Sequence, residues 1–155
     1  MWNTLFVTVH AFAATVAFVA GLRAMPDGRL LELHRAALAV MVLALVPALG
    51  VGWSSTEPVA RAVFAGLLVL AAVMVVRAEL AARVRPSTTG GPTVAYLAHV
   101  GFVLIALADG FAVVTAVRLG LPGWAVGTVA VGIVACGHVG LGAAQRRLTA
   151  RPVPV

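Results

Sequence analysis

Five apolar runs, at about 3–22, 33–53, 58–76, 93–117 and 123–144, alternate with short polar segments along the chain. Each run is near the roughly 20 residues that a helix needs to cross a hydrocarbon layer of about 30 Å. The pattern predicts an all-α fold: a polytopic transmembrane helix bundle of five spans, in one domain covering 1–155. The breaks carry turn chemistry. Pro26-Asp27-Gly28 and Leu119-Gly120-Leu121-Pro122 read as tight turns, and residues 84–92 as a linker around the low-complexity run from Pro86 to Pro92. Pro58 suits the first turn of the third helix, with Thr56 or Glu57 as its cap. Pro47 predicts a kink near the end of the second span, and residues 145–155 a frayed basic tail.

Composition agrees with membrane insertion. The chain is 62% apolar and 10% charged, where a soluble domain is about half apolar and about a quarter charged; its mean hydropathy is +1.07. The net charge of +6 comes without a basic stripe or interleaved aromatics, so nucleic acid is not expected as a partner. Orientation accounts for the charge better. The first span has no positive segment before it, so it does not read as a signal peptide. With the N-terminus outside and the C-terminus inside, Arg23, Arg29, Arg35, Arg77, Arg83, Arg85, Arg146, Arg147 and Arg151 fall inside, and Arg61 and Arg118 outside. Trp2, Trp53 and Trp124 then all lie at the outer boundary, as an interfacial belt does. A bacterial cell (inner) membrane is the expected location. The single Cys136 excludes a disulfide within the chain and reads as a small buried residue.

Ionisable side chains inside spans are costly and mark candidate sites. His99 lies six residues from Thr93, roughly 9 Å in, and His138 seven from Gln145, roughly 10 Å in. At matched depth on adjacent helices, the pair could supply both axial ligands of one b-type haem iron. Gly110 and Gly127 follow the faces of His99 and His138 and would give a flat macrocycle room. The alternative is that each histidine hydrogen-bonds a neighbouring helix; Gly123 and Gly127 likewise form a Gly-x-x-x-Gly packing pair. In the outer half, Asp109 and His10 form a candidate polar pair. Asp109 bonded to a backbone carbonyl, Thr15 or Thr115 is the equal alternative. His34 and Arg35 open the second span at headgroup depth, where they stay hydrated. His10, Ala14, Ala17 and Gly21 form one stripe that lets a helix or a flat ligand approach. Glu79 and Arg83 read as a surface pair four residues apart. No phosphate loop, nucleophile elbow, Cys-x-x-Cys or His-Glu-x-x-His motif is present, which argues against hydrolase, kinase or dehydrogenase chemistry of the soluble kinds.

His10 with the run to Gly21, Gly28-Arg29-Leu30, and His34-Arg35 resemble the first half of a family of small bacterial multi-pass membrane proteins of uncharacterised function. His99-Val100-Gly101, the Thr115 region and Leu121-Pro122-Gly123-Trp124 are similar to its second half. The family's intramembrane histidines invite comparison with cytochrome b561-like four-helix haem proteins. This chain departs from that pattern, lacking two histidines per ligand helix at long spacing, so the resemblance implies a single haem at most. Three functions follow as expectations. One is a carrier with haem b, passing electrons to a quinone or a redox partner protein. The second is a non-enzymatic accessory or structural subunit, and the third a small proton-linked transporter using Asp109 and His10. The lipid bilayer is a partner in all three, and a homo-oligomer is compatible with each.

Overall fold

The computed structural model describes residues 2–50, 53, 58–86 and 91–149. They form five helices: α1 Trp2–Ala24, α2 Leu31–Gly50, α3 Pro58–Arg83, α4 Val94–Arg118 and α5 Gly123–Thr149. All five are long and apolar enough to cross a membrane. The caps proposed at Thr56 and Glu57 lie outside the described residues. Where caps are described, they follow the turn chemistry. Thr93 accepts from the Tyr96 backbone N–H and starts α4. Gly120, at φ 72°, ends it, with its N–H on Val117 and that of Leu121 on Ala116, a Schellman arrangement. Pro47 is carried inside α2, three residues before its end.

Several boundaries differ from expectation: α1 runs to Ala24, α2 ends at Gly50, and α3 runs past Val76 to Arg83. Helix α2 starts at Leu31, directly after the turn that Gly28 closes with φ 71°. Helix α5 runs through to Thr149, so residues 145–149 are helical rather than frayed. Nothing in that stretch breaks a helix, and Arg146 and Arg147 complement the negative end of the helix dipole.

Helices α1, α2, α3 and α4 make a ring in which each packs on the next and α1 also meets α4, while α5 packs chiefly on α4. The ring's core is built largely of small residues. Ala13, Ala14, Ala17 and Ala37 pack with Leu38, Met41, Met74, Val103 and Leu107. Small side chains bring backbones close, which is what holds helices together where lipid is as apolar as the core. Helix α5 contributes no buried residue among those described. It is keyed to α4 by two glycines instead. A Cβ on Gly101 would stand 2.6 Å from Leu141 Cδ1, and one on Gly137 2.5 Å from Ile105 Cγ1.

Candidate functional site

The α1–α2 pair holds two of the four histidines. His10 donates from Nδ1 to the Met41 carbonyl at 3.0 Å, and His34 donates from Nδ1 to the Ala17 carbonyl at 2.7 Å. These carbonyls also serve their own helices, so each imidazole takes a second lone pair. Access to Ala17 depends on Gly21, one turn further on: a Cβ there would come within 2.8 Å of His34 Nδ1. The stripe His10, Ala14, Ala17 and Gly21 therefore faces α2, and it is a helix that approaches it. His34 departs from expectation. It is 0% exposed rather than hydrated, and its Nε2 has no hydrogen-bond partner among the described residues. The cause is that α2 begins with a buried Leu31 and turns His34 onto Ala17 and Gly21 of α1 instead of toward the surface.

Arg35 faces the other way. Its Nε donates to Glu79 Oε1 at 3.0 Å, Nη2 pairs with Glu79 Oε2, and Nη1 pairs with Glu32 at 2.6 Å. Glu79 thus reaches across to α2 rather than along α3 to Arg83. Arg85 adds a 3.8 Å contact to Glu32, and Tyr96 donates from its hydroxyl to the Ala24 carbonyl at 2.8 Å. These contacts tie together the arginine-rich end of all four ring helices. Tyr96 is the only tyrosine in the chain, which was the signal available for it.

His99 and His138 are not turned toward each other. Gly101 marks the face of α4 that meets α5, and His99 lies two positions earlier, about 200° around the helix. It faces α3, where Arg77 Nη1 donates to His99 Nδ1 in a long contact of 3.4 Å. His138 is exposed on α5, and its Nδ1 donates to the Val134 carbonyl of its own helix at 2.9 Å. The contacts between α4 and α5 also set their register. They place His138 level with about Leu104, roughly one and a half turns, or about 7.5 Å, from the level of His99. A Cβ on Gly110 or Gly127 would meet nothing within 4 Å, so no described neighbour packs against either glycine. The residues at hand do not fit a porphyrin held by His99 and His138 within one chain. No group of three or more metal-ligating residues occurs among the described residues.

Asp109 and His10 are not brought together either. Asp109 lies two positions after the buried Leu107 and two before Phe111, whose ring meets Phe18 of α1 edge-on at 6.0 Å. Asp109 is thus turned away from α1. Its Oδ1 is buried with no hydrogen-bond partner among the described residues. Thr15 and Thr115 bond their own helices, to Ala11 and Phe111. Cys136 is exposed, because no described helix covers that side of α5. Of the interfacial tryptophans, Trp124 is 77% exposed and Trp53 39%; the Trp2 side chain lies outside the described residues. An open concavity of about 580 Å³ lies between α1, α4 and α5 and is lined by Phe18, Ala108, Phe111, Thr115 and Val129 among others, with no imidazole.

Sequence reasoning passed over Arg77 and Phe102. The Arg77 guanidinium carbon sits 5.1 Å from the Phe102 ring centroid, so a cation, an imidazole and an aromatic ring meet on the α3–α4 seam. That meeting depends on the register of α3 against α4 across the linker, for which the sequence offers no local sign. Comparison with protein-family models, curated proteins and solved structures finds no match, so the resemblance drawn above rests on the quoted residues alone.

Proposed function

We propose that this chain is a non-enzymatic, multi-pass component of a bacterial cell membrane, an accessory or structural subunit in which His10 and His34 serve helix packing. The reciprocal bonds of His10 to Met41 and His34 to Ala17 carry this proposal. Both imidazoles are committed to a neighbouring helix, the common use of polar side chains in membrane bundles. The arginine asymmetry and the tryptophans support an N-terminus outside and a C-terminus inside. A carrier with one b-type haem, serving a quinone or a redox partner, is the competing function. It draws no support from the way His99 and His138 are turned. Proton-linked transport would rest on Asp109 without His10. Thermal unfolding of the detergent-purified protein tests the proposal. His34→Ala should lower the midpoint by several degrees while the protein still integrates into membranes. An unchanged midpoint would remove the packing role.

A further inference from the structure

At the arginine-rich end, the acidic groups of the described residues are already taken. Asp27 pairs with Arg29, Glu32 with Arg35 and Arg85, and Glu79 with Arg35. Arg77 is half-buried on α3 and has no carboxylate partner among the described residues. The remaining described acid, Asp109, lies ten residues beyond His99 on α4, about 15 Å further along the bundle. Arg77 is nevertheless held in place. It donates to His99 Nδ1 at 3.4 Å and lies over Phe102 at 5.1 Å. These two neutral neighbours orient the guanidinium and leave its charge uncompensated, with most of its five N–H donors unused. A half-buried cation of this kind calls for an anion from outside the chain.

Depth and surroundings identify the anion. Helix α3 has 26 residues, about 39 Å, so a hydrocarbon layer of about 30 Å centred on it leaves some 4–5 Å at each end. Arg77 is six residues before the end at Arg83, just inside that boundary, where an arginine side chain reaches the phosphate level. On the adjoining face of α3, Val69, Val73 and Val76 are exposed and form a stripe running from Arg77 toward the middle of the bundle. Charge above and an apolar track below match one molecule of phospholipid. We infer that Arg77, braced by His99 and Phe102, binds the phosphate of an anionic phospholipid, with an acyl chain along Val69, Val73 and Val76. A guanidinium suits the task because its planar fork matches phosphate bidentately.

This site presupposes the membrane assignment proposed above. Resistance of the full-length protein to alkaline carbonate extraction checks that assignment separately. Native mass spectrometry of the full-length protein in detergent, titrated with phosphatidylglycerol, then reads the site. Wild type should hold one phosphatidylglycerol about tenfold more tightly than Arg77→Gln. Arg77→Lys should fall between them, because it keeps the charge and loses the fork. Arg83→Gln, which alters an exposed arginine one and a half turns away, should match wild type. Circular dichroism and size exclusion establish that each variant is folded; should Arg77→Gln fail there, Arg77→Lys and Phe102→Leu carry the comparison, each with several-fold weaker retention. Inorganic phosphate in excess should leave the lipid bound. Equal retention by wild type and the Arg77 variants, equal loss in Arg83→Gln, or displacement by inorganic phosphate would each overturn the site.

Discussion

His10 and His34 make the same bond in opposite directions across the α1–α2 pair. His10 on α1 donates to the Met41 carbonyl of α2, and His34 on α2 donates to the Ala17 carbonyl of α1. The two bonds are seven residues apart on both helices, so one antiparallel register satisfies both. A shift of α2 by a single residue would break the two together. The bonds therefore fix register as well as adding stability.

Removing His34 should cost more than removing His10. His34 is fully buried, so His34→Ala leaves a cavity as well as a lost bond, and a destabilisation of about 2–4 kcal/mol follows. His10 is part-buried, and His10→Ala should lose about 0.5–1.5 kcal/mol, the range of interhelical hydrogen bonds in membranes. Unfolding titrations in a mild detergent with increasing sodium dodecyl sulfate measure both. Equal losses would show that burial does not set the difference.

Gly21 is as necessary as the histidine it admits. A Cβ on Gly21 would meet His34 Nδ1 at 2.8 Å and Leu104 Cδ2 at 2.9 Å. Both neighbours are packed, so Gly21→Ala should destabilise by about 1–3 kcal/mol despite alanine's better helix propensity. In a His34→Ala background the same change should cost clearly less, since one of the two clashes is gone. The double-mutant cycle reads that coupling, and strict additivity would contradict it.

Asp109 separates packing from transport. Its Oδ1 is buried without a partner, so Asp109→Leu replaces an unsatisfied group with an apolar one. The expected result is a stability unchanged or raised by about 1 kcal/mol, with no loss of function in cells. A proton-linked transporter would instead lose its proton-dependent flux in this variant. That outcome would move the account to the third function.

The helix boundaries and turns were legible because apolar runs, prolines and glycines act locally. Gly120 at the end of α4 and Thr93 at its start are examples. The continuation of α5 to Thr149 was legible too, since no breaker interrupts it and basic residues suit a helix C-terminus. Facing is a different matter. The depth of His99 follows from its position in the chain, whereas its direction depends on which helix lies on each side. A sign was present: Gly101, two residues from His99, is the glycine that meets α5, and two residues on a helix are nearly opposite. Gly110, which shares the face of His99, borders open space and so gives no sign of what lies on that side. For His34, burial at a helix start depends on what packs over it, here the Ala17–Gly21 stretch of α1, which no local pattern around His34 reveals.

The central claim, that the histidines serve packing and not iron, is tested most directly by one absorption measurement. The protein is expressed with ample haem supply, purified in detergent, and its reduced-minus-oxidised spectrum recorded alongside that of His138→Ala. The account predicts a folded protein with no Soret or α band in either sample. A sharp α band in wild type that disappears in His138→Ala would contradict it and establish His138 as an iron ligand.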